Sequence, residues 1–319
     1  MMAETPRILI ADEMSSRAVD VLRQAGFTVD VRTGLPPAEL AAVVGEYHGL
    51  GVRSATRVSA AVLAQPGKLR IIGRAGVGVD NIDVEAATKR DIVVINTPSG
   101  NAVAAAELAV SLLFALARKV PQAAAGMRQG QWEKKKFMGV ELAGKTFGVL
   151  GLGNIGRHVV RRGVGLDMQV IAHDPYLPAE IAAKLGAEFV SFDDLVRRSD
   201  FLSIHVPLAP QTQGLFDAGT LRRMKTGAYL INCARGGIVD EDALLAALQS
   251  GQLSGAALDV FETEPPGLTP LLAHESIIAT PHIGASTKEA QEKVAVELAE
   301  VFVAFLKDGV VRNAVNRRA

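Results

Sequence analysis

The sequence predicts an α/β protein of two doubly wound parallel-sheet lobes, a flavodoxin-like lobe followed by a Rossmann-type nucleotide lobe. Short apolar runs typical of strands alternate with helical runs along the chain, and this alternation indicates parallel sheets covered by helices. A Gly-x-Gly-x-x-Gly pattern over 151–156 directly follows one strand-like run. The chain of 319 residues, 49% of them hydrophobic, is long enough for two domains with substantial cores.

The first lobe is predicted to be the substrate domain, over residues 1–97, with residues 286–319 returning to it. Its strand-like runs are 8–11, 27–31, 50–53, 69–72 and 92–96. Helical runs are expected at 15–25, 37–44, 59–64 and 84–89. A long apolar helix over about 101–118 follows. Its apolar stretch is short for a membrane span and contains Glu107, so it is expected to be a buried helix.

The dinucleotide-binding domain is predicted over residues 98–285. Strand-like runs begin with the apolar residues before Gly151 and continue at 169–173, 201–205, 228–232, 255–260 and 277–280. A final helix is expected from Thr287 to about Lys307. Because βαβ units build parallel sheets sequentially, the two series predict two sheets.

The glycine pattern predicts a phosphate-binding turn. Gly151 permits the turn, and Gly153 lets a pyrophosphate approach the backbone. Gly156 lets the following helix pack closely on its strand. That helix starts near Asn154 and Ile155, so its unpaired N–H groups and the positive end of its dipole would hold the phosphates.

An acidic residue at the end of the next strand indicates which dinucleotide is bound. Asp174 lies about twenty residues after the glycines, where a carboxylate accepts hydrogen bonds from the adenosine ribose hydroxyls. No Arg or Lys occurs between His173 and Ile181, so a 2′-phosphate would meet a negative charge without a counter-charge. The sequence therefore predicts NAD rather than NADP, although Asp174 could also be an ordinary turn residue before Pro175.

Composition argues against several classes of partner. Lys plus Arg equals Asp plus Glu, 34 each, so no overall field favours nucleic acid or an anionic membrane. The single cysteine, Cys233, excludes an internal disulfide framework and fits a reducing cytoplasm. No histidine pair has metal-ligand spacing, so no metal site is predicted.

Three side chains at the ends of strand-like runs could support the oxidation of a hydroxy acid by NAD. The reaction needs a proton acceptor, a cation for the substrate, and a group that stabilises the protonated base. His282 suits the first role, Arg235 the second and Glu264 the third, and ligands bind at the carboxyl ends of such strands. On pattern alone, a packed histidine beside an unrelated glutamate and a surface arginine in a glycine turn remain alternatives.

Cationic residues elsewhere could bind an anionic substrate. Residues 74–80 form a glycine-rich loop after a strand, able to present consecutive amides to an anion. Arg53, Arg74 and Lys134 together could bind a phosphate. Lys135 and Lys136 are expected to lie on a solvated face.

In these motifs the chain resembles the D-isomer-specific 2-hydroxyacid dehydrogenases. The matching stretches occur in order and cover nearly the whole chain: 73–81, 132–137, 151–156, 232–237, 259–265 and 281–287. The strand-end Arg, Glu and His are specific to the broad family. The first two stretches favour a branch that acts on a phosphorylated 2-hydroxy acid.

The resemblance implies that His282 is the acid/base, Glu264 its partner, and Arg235 the substrate-orienting cation. It implies substrate contacts at Arg53, Ser54, Arg74, Gly76, Val77 and Asn101, and at Lys134 toward the substrate phosphate of a neighbouring subunit. Around NAD it implies Asn154, Ile155, Asp174, Pro207, Thr212, Asp259 and Gly284. The backbone of Cys233 is expected to border the nicotinamide. The implied assembly is a homodimer built on the nucleotide lobes.

Two rival functions stay open at this point. One is a glyoxylate or hydroxypyruvate reductase of the same family, which would use the same three residues without a phosphate pocket. The other is an NAD-sensing interaction protein like the C-terminal-binding-protein corepressors. Many relatives continue into a serine-sensing regulatory domain. This chain is expected to be a short form, natural or truncated, that serine does not inhibit.

Overall fold

Two separate parallel sheets organise residues 5–316, the part of the chain that the computed structural model describes. The chain divides into two units. The first comprises the described residues up to Ala102 together with those from Ala285 onward, and the second is Val103–Gly284. The predicted α/β class with two parallel sheets is confirmed.

The first unit contains a five-stranded sheet of flavodoxin type. Its strands are β1 (Arg7–Ile10), β2 (Thr28–Val31), β3 (Gly49–Val52), β4 (Ile71–Arg74) and β5 (Val93–Asn96). They lie in the order β2-β1-β3-β4-β5, the flavodoxin order, with every pairing parallel. The connecting helices are α1 (Ser16–Gln24), α2 (Pro37–Val43) and α3 (Val84–Thr88), with a short 3-10 helix at Val44–Glu46.

The second unit contains a seven-stranded sheet. Its helices are α4 (Ala102–Arg118), α5 (Val120–Arg128), α6 (Asn154–Val164), α7 (Ala179–Lys184), α8 (Phe192–Arg198), α9 (Ala218–Arg223) and α10 (Glu241–Gln249). Its strands are β6 (Thr146–Leu150), β7 (Gln169–His173), β8 (Glu188–Phe189), β9 (Phe201–Ile204), β10 (Ala228–Asn232), β11 (Leu253–Leu258) and β12 (Ile277–Ala279). Their order, β12-β11-β10-β9-β6-β7-β8, places the first strand beside the fourth, as in a Rossmann sheet.

The last helix, α11 (Lys288–Asp308), packs on the sheet of the first unit. Its buried residues Leu298 and Phe302 share one hydrophobic core with Ile8, Ile71 and Ile95 of the strands. The side chain of Thr287 caps its first turn, and Gly309 ends it in the left-handed conformation. Helix α11 therefore completes the hydrophobic core of the first unit, although it follows the second unit in the chain.

Within residues 5–316, at least six helices have a side-chain cap at their amino end, but the helix that follows the glycine motif has none. Each of these six caps is a Ser, Thr or Asp whose side chain accepts a backbone N–H of the first turn: Ser15, Asp83, Ser191, Asp217, Asp240 and Thr287. Helix α6 starts after Gly153 and has no side-chain cap. Its amino end thus keeps the polarity that attracts an anion.

One local prediction is wrong, and two elements were not predicted. Residues 59–64 form only a turn, because Pro66 and Gly67 follow at once and a proline disfavours helix in the residue before it. Strand β8 has only two residues, too few for an apolar pattern to show. Helix α5 was not predicted as a separate element; it begins after Lys119, whose φ of 51° interrupts the helical path.

The most apolar helix lies in the core of the second unit. Ala106, Ala109 and Leu113 of α4 are fully buried there. Among residues 5–316, no helix combines the length and the hydrophobicity that a membrane crossing requires.

Candidate active site

The glycine loop after β6 has the geometry of a phosphate-binding turn. Gly151 has a φ of 95°, a conformation that L side chains rarely adopt. A Cβ on Gly156 would overlap the carbonyl oxygen of Gly151, so only glycine allows α6 to approach the loop this closely. At Gly153, by contrast, an added Cβ would have no atom within 4 Å outside Gly153 and its two chain neighbours. The backbone of Gly153 is therefore open to a ligand.

The loop lies where the strand order reverses. Strand β6 pairs with β7 on one side and with β9 on the other. The chain runs outward from β6 through β7 to β8, then crosses back to β9 and continues in the opposite direction. In open parallel sheets such a point leaves a crevice beyond the carboxyl ends of the strands, where ligands bind. Asn154 and Ile155, the first residues of α6, follow the loop directly.

Asp174 holds the glycine loop in place. Its Oδ2 accepts the N–H of Leu152 at 2.8 Å, and its Oδ1 accepts the N–H groups of Tyr176 and Leu177 at 2.9 and 3.1 Å. A carboxylate offers about four lone-pair positions, so these three bonds leave capacity for a further donor such as a ribose hydroxyl. Asp174 thus stabilises the conformation of the glycine loop through its bond to Leu152.

We expect Asp174→Ala to raise the KM for NAD by about tenfold or more and to weaken the preference for NAD over NADP, since a charge-assisted acceptor is lost. It should also lower the melting temperature, because three N–H groups lose their acceptor. Asp217→Ala, which removes the cap of α9, is the matched control for stability loss alone. Steady-state kinetics with both cofactors decide; an unchanged KM and preference would contradict the ribose role.

Hydrogen bonds of Thr212 stabilise the loop that follows β9. Thr212 Oγ1 accepts the N–H of Ala209 at 2.8 Å and donates to the carbonyl of Pro207 at 2.6 Å. The contacts of Thr212 therefore fix the shape of the loop, and they bring its hydroxyl to the backbone of Pro207.

His205, at the start of this loop, is a neutral imidazole. Its Nε2 lies 2.8 Å from Ser203 Oγ, while its Nδ1 is buried and has no hydrogen-bond partner among the described residues. Burial lowers the pKa of His205 to about 3. The side chain cannot therefore serve as an acid/base group near neutral pH.

His205 makes the protein less stable in acid. The pKa of His205 falls from 6.5 to about 3 on folding, so below pH 6.5 the unfolded chain binds a proton that the folded protein does not. Stability due to this group is complete above pH 6.5 and declines as the pH falls toward 3, by up to about 1.4 kcal/mol per pH unit. Urea unfolding of His205→Gln should show a smaller loss between about pH 6 and 4 than the wild type; equal losses would contradict this.

Arg235, Glu264 and His282 follow three neighbouring strands. Strands β10, β11 and β12 are adjacent, and each of the three residues lies beyond the carboxyl end of one of them. The second unit thus gathers the predicted acid/base, its partner and the cation along one edge of its sheet.

His282 and Glu264 form a direct pair. His282 Nδ1 lies 2.7 Å from Glu264 Oε2, and Glu264 Oε1 accepts the N–H of Phe261 at 3.1 Å. An ionised carboxylate only accepts hydrogen bonds, so Nδ1 carries the hydrogen. The lone pair of the neutral ring therefore lies on Nε2, available to a substrate hydroxyl.

Asp259 fixes the turn that presents His282. This carboxylate, 1% exposed, accepts the hydroxyl of Thr280 at 2.6 Å and the N–H groups of Ile283 and Gly284, both at 2.8 Å. These bonds bracket His282, whose φ of 52° is uncommon for a residue with a side chain. Surrounding contacts hold the strained backbone, as is typical of functional sites.

Asn232 holds the loop that bears Arg235. Its Oδ1 accepts the N–H of Ala234 at 3.0 Å and its Nδ2 donates to the carbonyl of Arg235 at 2.9 Å. Arg235 Nη1 in turn donates to the carbonyl of Ala234 at 2.6 Å. Cys233, which follows Asn232 in the chain, is buried, and this burial raises the pKa of its thiol. Its thiol therefore stays protonated, and a place for its backbone beside the nicotinamide stays a prediction.

The loops of Arg235 and Glu264 pack backbone against backbone. A Cβ on Gly236 would overlap the carbonyl oxygen of Phe261. Glu241 Oε1 accepts the N–H of Glu262 at 2.8 Å, and burial raises the pKa of Glu241. Sequence reasoning missed Asn232 and Glu241; a polar residue ending an apolar strand and a glutamate opening a helix were the available signals.

The predicted substrate residues of the first unit lie at the carboxyl ends of two adjacent strands. Arg53 and Ser54 follow β3, and Arg74 ends β4. Gly76 has a φ of 156°, and the carbonyl of Val77 accepts Asn96 Nδ2 at 2.5 Å. The amide oxygen of Asn101 is buried and has no hydrogen-bond partner among the described residues. Lys134 belongs to the second unit and is exposed.

Curated relatives match the chain over most of its length. A D-3-phosphoglycerate dehydrogenase of Archaeoglobus fulgidus is 48% identical over 311 residues, 97% of this chain and 59% of that protein. The chain spans about 60% of the length of the curated relatives it matches.

Solved structures and a family model match as well. The crystal structure of TT0316 protein from Thermus thermophilus has a TM-score of 0.86 at 37% identity, covering 97% of this chain and 99% of that one. A glyoxylate reductase from Paecilomyes thermophila has a TM-score of 0.89 at 29% identity, covering 98% and 99%. Residues 110–284 match the NAD-binding domain model of the D-isomer specific 2-hydroxyacid dehydrogenases. The chain therefore belongs to the D-isomer-specific 2-hydroxyacid dehydrogenase family, with NAD as its cofactor.

Proposed function

We propose that this protein oxidises 3-phospho-D-glycerate to 3-phosphohydroxypyruvate with NAD, the entry to serine synthesis. The observation that carries the proposal is the His282–Glu264 pair beyond β11 and β12, beside the Arg235 loop of β10. The substrate is supported by the 48% identity over 97% of the chain to a protein named D-3-phosphoglycerate dehydrogenase.

The side chains divide the work of the reaction. NAD, when bound, supplies the acceptor for the hydride that leaves C2 of the substrate. His282 Nε2 takes the proton of the C2 hydroxyl as the carbonyl forms. Glu264, 2.7 Å from Nδ1, stabilises the positive charge that the imidazole gains. In the reverse direction the same proton returns to the keto oxygen.

Arg235 suits the carboxylate and the developing carbonyl. Its guanidinium is always charged and presents hydrogen-bond donors in a planar fork. Asn232 bonds the backbone carbonyl of Arg235, and the following residue, Gly236, packs against the backbone of Phe261. Little reorganisation is therefore needed as charge shifts in the substrate.

The substrate phosphate calls for cations. Arg53, Arg74 and Lys134 are the candidates that the sequence assigns to it. Lys134 is a point charge without the bidentate geometry of arginine, so its contribution is electrostatic.

An NADH assay over a panel of acids tests the proposal. The panel holds 3-phospho-D-glycerate, D-glycerate, D-lactate, glyoxylate and hydroxypyruvate, each with the oxidised or reduced form of both cofactors. We expect kcat/KM for 3-phospho-D-glycerate to exceed that for D-glycerate by about 100-fold, since hydrogen bonds to charged groups contribute about 1.5–3 kcal/mol. Preference for glyoxylate or hydroxypyruvate would favour the reductase, and no turnover of any acid would favour the NAD-sensing interaction protein.

Lys134→Ala separates the phosphate from the rest of the substrate. We expect it to lower kcat/KM for 3-phospho-D-glycerate about tenfold and leave that for D-glycerate unchanged. Lys135→Ala, next to it on the same exposed loop, is the control and should change neither. Equal effects of both variants would contradict a specific role for Lys134.

We infer that the protein is a homodimer built through the second unit. Apolar side chains that a monomer would rarely expose occur on α4, α5 and the loop after them: Phe114, Val120, Met127, Trp132 and Met138. Trp132 is 80% and Met138 79% exposed. A second copy is the favoured partner because Trp132 and Met138, the two most exposed of these residues, lie within four residues of Lys134 in the chain. The resemblance directs Lys134 to a neighbouring subunit. Analytical ultracentrifugation should find a dimer that Trp132→Glu weakens; a monomeric wild type would contradict it.

We place the enzyme in the cytoplasm. Its lone cysteine is reduced and buried, as suits a reducing compartment. Fractionation of cells that produce the protein should recover it with the cytosol.

A further inference from the structure

We propose that Asp12 and Asn81 are positioning residues that together hold the Arg53–Thr56 loop in the conformation that binds substrate. The proposal rests on the proposed function, which assigns substrate contacts to Arg53 and Ser54. Neither Asp12 nor Asn81 is expected to touch the reacting atoms; both act through the loop.

Asp12 fixes the N–H groups at both ends of the loop. It follows β1, is 4% exposed, and lies beside the carboxyl end of β3. Its Oδ2 accepts the N–H of Arg53 at 2.5 Å and that of Thr56 at 3.2 Å, and its Oδ1 accepts the Thr56 hydroxyl at 2.6 Å. A carboxylate buried at this depth requires such donors, so Asp12 and the loop stabilise each other.

Asn81 fixes the carbonyl groups at the same two positions. Its Nδ2 donates to the carbonyl of Arg53 at 2.7 Å and to that of Thr56 at 2.6 Å. Its own carbonyl accepts the N–H of Val58, which anchors Asn81 just beyond the loop. One carboxylate and one amide therefore satisfy both backbone polar groups of Arg53 and both of Thr56.

This arrangement leaves the centre of the loop to face outward. Ser54 and Ala55 are exposed, whereas Thr56 is buried. The side chain of Arg53 is directed by a bond from Nη1 to the carbonyl of Glu13 at 3.1 Å. The bonds from Asp12 and Asn81, rather than strand pairing, fix the shape of the loop. We therefore expect the affinity of Arg53 and Ser54 for an anion to depend on these two side chains.

Asn81→Asp tests the clamp with an isosteric change. The new carboxylate oxygen would face two carbonyl oxygens, so the loop must move. Asn316→Asp is the matched control in the same unit, because Asn316 makes the same kind of clamp at the amino end of β5. Its Oδ1 accepts the N–H of Val94 at 2.9 Å, and its Nδ2 donates to the carbonyl of Ile92 at 2.9 Å.

We expect Asn81→Asp to raise the KM for the 2-hydroxy acid about tenfold or more, with the KM for NAD unchanged, since misplacement of a positioned group weakens that contact alone. Asn316→Asp should lower the melting temperature and leave both KM values unchanged. Equal rises for substrate and NAD, or a folded Asn81→Asp protein with wild-type substrate KM, would overturn the proposal.

A second variant and a second measurement keep the outcome clear. Thr56→Val removes the hydroxyl that bonds Asp12 and lies 3.3 Å from the carbonyl oxygen of Ala11. It should raise the same KM by a smaller factor. Hydrogen exchange of the wild type and both variants needs no turnover: the amides of Arg53 and Thr56 should exchange faster in the variants while those of β3 stay protected. Unchanged exchange would overturn the clamp, whatever the substrate proves to be.

The proposed function can fail separately. If the wild type prefers another 2-hydroxy acid, the substrate identification falls, and the clamp predicts the same selective rise in KM for that acid.

Discussion

His282→Ala is expected to lower kcat by about 10²–10⁴, because the protein loses the group that accepts the hydroxyl proton. The KM for NAD should change little, since the glycine loop and Asp174 lie on other strands. Stopped-flow and steady-state measurements of NADH formation give both values. A kcat within threefold of the wild type would remove His282 from the mechanism.

Because Glu264 acts through His282, its replacement should lower kcat less than the loss of His282 does. Glu264→Gln should lower kcat less, about tenfold, since the amide oxygen still accepts the Nδ1 hydrogen but no longer balances the imidazolium charge. His48→Ala is the histidine control, because His48 accepts the N–H of Arg7 at the amino end of the first-unit sheet. A fall in kcat for His48→Ala equal to that for His282→Ala would indicate a general defect of folding.

Gly153→Ala is expected to abolish tight NAD binding without disturbing the fold, raising the dissociation constant about tenfold or more because a methyl group would stand where the pyrophosphate approaches. Outside residue 153 and its two chain neighbours, no protein atom lies within 4 Å of the added Cβ. The melting temperature without NAD should therefore equal that of the wild type. Isothermal titration calorimetry gives the affinity, and differential scanning calorimetry gives the stability.

Gly156→Ala provides the contrast. There the new Cβ would overlap the backbone of Gly151, so we expect a lower melting temperature even in the absence of NAD. If Gly153→Ala binds NAD as the wild type does, or if it is as unstable as Gly156→Ala, the assigned roles of the two glycines are wrong.

Local patterns were sufficient to predict the architecture. The alternation of apolar strand runs with helices, together with the run of β6 into Gly151–Gly156, required only neighbouring residues, and the parallel sheets are confirmed. Where a segment lacked a periodic signal, prediction failed: residues 59–64 have helical composition, but Pro66 stops the helix, and β8 has only two residues.

Only those site residues that directly follow an apolar strand-like run could be predicted from the sequence. Arg235, Glu264 and His282 each follow an apolar run, so their common edge could be expected from the fold. The resemblance placed Asp259 near NAD, but its bonds to the turn around His282, up to 25 residues further along the chain, could not be predicted from a local pattern. Asn232 bonds groups only two and three residues away, and nothing in the apolar run before it distinguishes this role. The bonds of Asp12 span 41 to 44 residues, and no periodicity marks them.

Deuterium transfer from the substrate tests the central claim most directly. 3-Phospho-D-glycerate labelled with deuterium at C2 is incubated with the protein and NAD, and the NADH formed is analysed by mass spectrometry. Transfer of hydride from C2 predicts one deuterium in each NADH molecule produced by the wild type, formed much more slowly by His282→Ala. NADH without deuterium, or no NADH formed at all from this substrate, would contradict the account.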